Sequence, residues 1–409
     1  MNFNESQFAE EASALLSTDP LRTARGRERV FDLIARSCVA REKGDLDTRT
    51  AVAFLRDLGV GLLRVPIQEG GFGFSLAELI AFAVDLGAAD SSIAQILRNH
   101  YAYVEQALKS RGNVLYERGL DAVKEGKLIG LGATELGVAQ AGTMKSDTTL
   151  IRQGGEYRLN GRKFYSTGNM YSDLIRVYAT LDGELVSAMV PADRSGISFK
   201  DDWDGFGQSR TASGTTLLND VTVYAEEIYP ALEQVKLPFG ATFPQVYLTA
   251  IVVGILRNIE QDAVAVLKLR DRNFYHAVAE LPVEDPLLQQ TVGRISSILY
   301  VAESAVLRAA QTLGIAFDAA IDGSINFDDF EKASAHVAKT KVVVDDLALE
   351  SASALFNVAG ASATSRAKHL DRHWRNIRTL VSHNPVSYKA RAIGDHLING
   401  TPLPSAGFF

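Results

Sequence analysis

Apolar residues recur at helical spacing through 29–41, 47–58 and 76–86. Between the last two, Glu69-Gly70-Gly71-Phe72-Gly73-Phe74 breaks the period and predicts a glycine-rich loop. Ser91 and Ser92 open another predicted helix, where a serine can cap exposed amides, and that helix carries Asn99, His100 and Tyr101. From about 128 to 224 the period shortens. Segments 148–152 and 157–160 alternate around Gly154-Gly155, a hairpin signal, and Asn160-Gly161 predicts a second tight turn. Segments 176–180 and 185–190 have the pattern of buried strands, followed by 196–199 and 215–223, for about seven strands in all. Long alanine-rich helices are predicted over 246–270, 286–319, 328–358 and 388–397. The expected fold class is α+β, mainly α: an N-terminal helical domain over 1–125, a central β domain over 126–228 and a C-terminal four-helix-bundle domain over 229–409.

The chain has 409 residues, 46% hydrophobic and 22% charged, as expected of a large globular core. A net charge of −7 argues against nucleic acid or an anionic membrane as a general partner. The single cysteine, Cys38, precludes an intrachain disulfide, and no Cys/His cluster suggests a metal site. Cys38 lies in an apolar helical stretch and is expected to be a small core residue. The first residues lack a basic-then-apolar secretory pattern, and no apolar run approaches the ~20 residues that span a membrane. The expectation is a soluble, cytoplasmic protein. The loop at 69–74 lacks the Lys-Ser/Thr ending of a phosphate loop and is expected to be structural.

Candidate chemistry concentrates in 371–385, which is dense in cations and imidazoles. Arg372, Arg375 and Arg378 fall at helical spacing, and one face bearing them could clamp phosphate or carboxylate. Pro385 should stop the helix, leaving His383 near its C-terminal end. Spacing alone allows either a solvated helix-end histidine or one that faces a cofactor.

Gly360-Ala361-Ser362-Ala363-Thr364-Ser365, then Leu370-Asp371-Arg372, Trp374-Arg375-Asn376, Arg378-Thr379 and His383 with Pro385, form a combined motif. It resembles the C-terminal helices of the acyl-CoA dehydrogenase fold. It is more similar to the fold's flavin monooxygenase branch, which includes oxygenases of dibenzothiophene, indoles and amino sugars. The resemblance runs from roughly 32 to 403. Dehydrogenases commonly carry a catalytic Glu where this chain has Ser382-His383-Asn384-Pro385, without a carboxylate. A histidine there can instead donate to developing negative charge.

The same resemblance assigns Tyr165, Ser166 and Thr167 to the flavin edge near N5, and Thr134 to the turn before its pyrimidine edge. Ala133 stands where sulfur-heterocycle members often have Asn. Trp203 and the loop 208–213 would line the cleft, and His100 would border the substrate. Arg270 or Arg272, with Phe274, would hold a flavin phosphate of a neighbouring subunit, beside Gly360, Ala361 and Ser362. His369 and His373 would be structural. The segment 356–362 lacks the Gln-x-x-Gly-Gly-x-Gly form common in FAD-binding dehydrogenases, which favours FMN and leaves FAD possible.

The activity implied is two-component flavin-dependent monooxygenation. A separate reductase would supply reduced FMN, because no GxGxxG nicotinamide unit is present. Reaction with O2 would give a C4a-(hydro)peroxyflavin that oxygenates a small aromatic heterocycle, sulfur compound or amine. His383, His100 and Thr167 would be catalytic, Trp203 and His100 would line the pocket, and no metal would take part. The resemblance also implies a homotetramer. An acyl-CoA dehydrogenase with a displaced base, and a non-catalytic helical assembly protein, are the alternatives.

Overall fold

The computed structural model describes residues 3–136, 146–230, 238–405 and 409. Helices α1 (Glu5–Leu16), α2 (Ala24–Lys43), α3 (Thr48–Asp57), α4 (Leu76–Ala89), α5 (Ser91–Leu108) and α6 (Val114–Lys124) come first. A reciprocal capping box opens α4: Glu78 N donates to Ser75 Oγ at 3.2 Å, and Ser75 N donates to Glu78 Oε2 at 2.7 Å. The cap of α5 is Asp90, not a serine. Its Oδ1 accepts from Ser92 N at 3.0 Å and Ile93 N at 3.2 Å, while Ser91 and Ser92 lie inside the first turn. Asp90 does so while paired with the buried Arg41, 2.9 Å away, so one carboxylate caps α5 and ties it to α2. The loop at 69–74 is structural: Phe72, Gly73 and Phe74 donate backbone hydrogen bonds to Leu62, Val65 and Leu63.

The sheet contains β1 (Ile129–Gly132), β2 (Thr149–Gln153), β3 (Glu156–Lys163), β4 (Leu174–Leu181), β5 (Glu184–Pro191), β6 (Ile197–Lys200), β7 (Thr215–Val223) and β8 (Ile228–Pro230). Their order is β6-β7-β3-β2-β4-β5-β8, with β1 parallel to β4. β1 and β2 share one edge of β4 end to end: Ile129 pairs with Leu174, and Thr149 with Thr180. The described strands number eight, because three residues of β8 pair with β5 where helix was expected. The hairpin at Gly154-Gly155 forms as expected. Asn160-Gly161 is not a turn. It lies inside β3, where the register against β7 shifts between Leu159 and Gly161. A Cβ on Gly161 would come within 2.2 Å of Thr148 Oγ1, so glycine here admits a neighbouring strand end.

Helices α7 (Thr242–Lys268), α8 (Pro286–Ile321), α9 (Phe327–Ala359), α10 (Asp371–Val381) and α11 (Val386–Asn399) follow. Helix α7 is buried nearly all round from Val246 to Leu256 and packs against α4, α8 and α9. A Cβ on Gly254 would meet Val84 O at 2.4 Å, so α4 and α7 approach backbone to backbone. The first and last helices therefore share one core, joining Leu79, Val84, Ile93 and Leu97 to Ile251, Val253, Leu313 and Leu355. A separate core lies under the sheet, around Leu159, Val177, Ala188 and Val221. No helix among the described residues is long and apolar enough to cross a membrane.

The arginines of α10 do not share a free face. Arg372 is buried and pairs with Asp262 of α7 at 2.7 Å. Arg375 pairs with Asp371 at 2.8 Å, and Arg378 is exposed. Residues three and six positions apart turn through 300° and 600° at 100° per residue, which spreads the three over about a third of the helix. His369 and His373 are structural. His369 meets Glu42 of α2 at 2.8 Å, and His373 meets Asp262 at 2.7 Å. Burial opposes ionisation of Asp262, but the His373 hydrogen bond and the Arg372 charge outweigh it and hold the carboxyl at about 2.

Two buried imidazoles should make stability depend on pH. Burial pushes His373 down to about 4, aided by the Arg372 charge, and burial alone pushes His100 down to about 4. Unfolded histidine takes up its proton near 6.5, before either folded one does, so acid favours the unfolded chain. Unfolding free energy should fall between about pH 6.5 and 4, by a few kcal/mol in all. Urea titrations across that range measure the slope, and His100→Gln, which cannot gain the proton, should flatten it. A flat wild-type profile would mean that neither imidazole is held neutral.

Candidate active site

Beyond β3 the chain turns sharply through Tyr165, whose backbone is left-handed at φ +53°. The turn leaves the Tyr165 ring 56% exposed, with its edge toward Trp203 at 6.1 Å between centroids. Trp203 is half-buried, and its Nε1 donates to Gly207 O at 3.2 Å, so it both braces its loop and joins an aromatic pair at the surface. Thr134 is exposed beside the same turn, its carbonyl accepting from Phe164 N at 2.8 Å. Its neighbour Glu135 is buried and accepts from Lys163, Thr148 and Ser146, which fixes this corner of the sheet.

The hydroxyls behind Tyr165 form a directed line. Thr211 Oγ1 donates to Gln208 O at 2.8 Å, so its single proton is spent there. Its 2.7 Å contact with Ser213 Oγ must then be an acceptance, and the 2.7 Å contact of Ser213 with Thr167 Oγ1 must be one too. Thr167 Oγ1 is thereby left as an acceptor toward any further partner. Ser166 Oγ is buried and finds no protein partner. Its hydroxyl is therefore available to a further partner.

Three elements converge on this turn. Asn99 of α5 donates from Nδ2 to Thr167 O at 3.1 Å. Gly168 lies against α5 with φ +81°, and a Cβ there would stand 2.8 Å from Ile96 O. The loop 201–214 docks on α10, where Asn376 Oδ1 accepts from Gln208 N at 2.6 Å and Arg375 donates to Phe206 O at 2.9 Å. Gln208 Nε2 also reaches Ser91 Oγ on α5 at 2.9 Å.

His383 follows the end of α10, as the proline predicts, and Pro385 caps α11. The turn is held by Asn384 Nδ2, which donates to Gln245 Oε1 of α7 at 2.8 Å. A guanidinium nitrogen of Arg98 lies 3.5 Å from His383 Nε2, which makes Nε2 the acceptor and places the ring proton on Nδ1. His383 is exposed as a residue. Lost hydration, then the charges of Arg98, Lys341 and Lys389, push it down to about 3, so it is neutral at physiological pH.

His100 is not part of this cleft. Its Nδ1 accepts from Ile129 N at 3.2 Å and its Nε2 donates to Gly61 O at 3.0 Å, so both nitrogens are committed to backbone in the core. The helix presents Asn99 and Arg98 to the site instead.

Arg270 and 360–362 form a second group. Arg270 donates to Val358 O at 2.6 Å, beside Gly360 at the end of α9. Arg272, Ala361 and Ser362 are exposed, and Phe274 is 64% exposed. Lys368 Nζ donates to Ser362 Oγ at 2.9 Å, adding a third cation. Among the described residues, no hydrogen bond or ion pair joins this group to the Thr167–His383 group. A surface cleft of about 350 Å³ lined by Glu11, Asp32 and Arg36 contains none of these residues.

Comparison with known proteins agrees with this architecture. Residues 246–388 match the family model of the acyl-CoA dehydrogenase C-terminal domain. The chain is 27% identical over 408 residues to a dibenzothiophene monooxygenase of Mycolicibacterium goodii, covering 94% of this chain and 95% of that protein. A methanesulfinate monooxygenase of Pseudomonas fluorescens superposes with a TM-score of 0.83 at 25% identity, over 96% of this chain and 98% of that one. TdsC of Paenibacillus sp. A11-2, in complex with FMN and indole, has the same fold, with a TM-score of 0.82 at 24% identity over 99% and 100% of the two chains. The chain therefore has the acyl-CoA-dehydrogenase-like fold and is an enzyme related to the flavin-dependent monooxygenases.

Proposed function

We propose that the chain is the oxygenase component of a two-component monooxygenase, taking reduced FMN, or less favourably FAD, from a separate reductase. The observation that carries this reading is the directed hydroxyl line. It leaves Thr167 Oγ1 an acceptor beside the unpartnered Ser166 Oγ and the Tyr165–Trp203 pair, whose tyrosine is exposed. The N5–H of a reduced flavin is a donor that such an acceptor fits, and the aromatic pair offers its ring a surface. The residues present therefore suit the flavin that TdsC holds.

Reduced flavin supplies the two electrons with which O2 is divided between an oxygenated product and water. The chain's own contribution is orientation and electrostatics. Thr167 and Ser166 fix the ring edge, and Thr134 stands at the neighbouring turn. His383, neutral with its proton on Nδ1, donates to negative charge that develops as oxygen is reduced. Arg272, with Arg270 and Phe274, offers an arginine fork to the flavin phosphate of a neighbouring subunit, beside Gly360, Ala361 and Ser362. This trans arrangement requires an oligomer, and a homotetramer is the assembly we favour. It accounts for the exposure of Leu269, Phe274, Tyr275 and Val278 around the turn after α7.

The reading is tested with His383→Ala. Product formed per flavin oxidised and hydrogen peroxide released are measured with reduced FMN, O2 and, in turn, dibenzothiophene, indole and methanesulfinate. The variant should bind reduced FMN as wild type does but form product about 10²–10³ times more slowly, with peroxide in its place. Wild-type coupling in the variant would leave His383 as a helix-end residue only. Oxidation of an acyl-CoA thioester with an artificial electron acceptor would instead support the dehydrogenase reading.

Arg272→Ala should weaken reduced FMN roughly tenfold or more, the worth of one charge-assisted phosphate contact, with an unchanged melting temperature. Arg270→Ala should cost stability as well, because it also removes the bond to Val358 O. Unchanged affinity in Arg272→Ala, measured by flavin titration, would place the phosphate elsewhere.

Light scattering at micromolar concentration should give four chains, and Phe274→Asp with Tyr275→Asp should reduce both assembly and FMN affinity. A wild-type monomer that binds FMN normally would remove the trans-phosphate arrangement.

A further inference from the structure

Arg98 is a half-buried cation that the reading above does not use. Its Nε is shut off from solvent without a hydrogen-bond partner. Among the described residues no carboxylate pairs with it; its one hydrogen-bond contact is the long approach to neutral His383. Burial lowers the guanidinium to about 10, which still leaves it charged at physiological pH. The other groups that act on this corner are also mostly cationic. Lys341 and Lys389 lower His383, and Asp345, which acts on Lys389, is bound to Lys341 at 2.7 Å. The hydroxyl of Tyr247 lies within the field of Arg98 and is likewise buried without a partner. A partly desolvated charge with a hidden, unpartnered nitrogen is a cost for which folding alone gives no return.

We propose that Arg98 and Tyr247 receive the anionic head of the substrate, so that this chain oxygenates a small organic oxyanion, such as a sulfinate or carboxylate. The inference rests on the monooxygenase reading and narrows its substrate class. Arg98 donates in a fork to two oxygens of the head, Tyr247 donates to one, and the remainder of the substrate extends past His383 toward Thr167. Asn99, next in sequence, bonds the Thr167 carbonyl, so a single turn of α5 spans the distance between the anion and the flavin edge.

The test compares charged and neutral probes of similar shape by calorimetry: methanesulfinate against dimethyl sulfoxide, and benzoate against benzamide. Each is titrated into the flavin-free protein and the protein with oxidised FMN. Wild type should prefer the anion of each pair at least tenfold in one or both forms. Arg98→Met should lose that preference, and Arg98→Lys should keep part of it. Arg98→Met should also unfold at no lower temperature than wild type, since it removes a half-buried charge that no carboxylate pairs with, and should bind FMN normally. Equal affinity of wild type for anion and neutral probe in both forms would overturn the proposal. So would a preference that survives Arg98→Met, or a loss in that variant of FMN affinity alone. If the anion preference stands while no FMN binds, the monooxygenase reading fails and the oxyanion site remains.

Discussion

The geometry of the cleft depends on where α10 is fastened. Two carboxylates from distant parts of the chain hold it: Asp262 of α7 takes Arg372 and His373, and Glu42 of α2 takes His369 and Asn376. Burial opposes ionisation of Glu42, yet the hydrogen bonds from His369 and Asn376 outweigh it and hold the carboxyl below its ordinary range. Because Asn376 also accepts from Gln208 N, the same clamp positions the loop that ends in Thr211 and Ser213. His383 lies two residues beyond the helix, so a rotation of α10 would move the imidazole and the hydroxyl line together. Once one partner is lost, the buried charge that remains is costly, which makes the clamp close to all-or-none.

Buried cations elsewhere in the chain have partners suited to their position. Arg41 has Asp90, Arg64 has Glu105, Lys163 has Glu135, and Arg176 has the Ser187 and Tyr116 hydroxyls. Each ties two elements together. Arg98 differs from these in having a neutral imidazole where the others have an acceptor bound firmly. Arg98 is half-buried where Arg176 is buried, and the inventory of partners separates them further.

Much of the fold was legible from periodicity, because the long helices bury broad apolar faces and the hairpin at Gly154-Gly155 has an unmistakable turn. The errors have local physical causes. Asn160-Gly161 has turn composition, but glycine there makes room for Thr148 across a strand, a long-range contact that local pattern does not encode. Ser91-Ser92 looked like a cap, yet Asp90 is preferred because it also meets Arg41, forty-nine positions earlier. The arginine spacing in α10 was read correctly as helical and wrongly as one face, since its outcome depends on carboxylates in α2 and α7. At the site, the resemblance pointed to the turn after β3 and to the end of α10, and the structure links both to neighbouring residues of α5. The directed hydroxyl line was not legible, since it depends on which way Thr211 donates.

Helix α5 places His100, Asn99 and Arg98 in three different surroundings. Successive residues on a helix point about 100° apart, so three neighbours cannot all address one cleft. His100 turns inward to the backbone of Gly61 and Ile129 and so ties the helix to β1. That bond fixes the rotation of α5, and the rotation in turn sends Asn99 to Thr167 and Arg98 to His383. A motif transferred position by position locates a helical turn, while the rotation of that turn is set by contacts that local pattern does not encode. The side chain that bonds to backbone with both nitrogens is the anchor, and its two predecessors face His383 and Thr167.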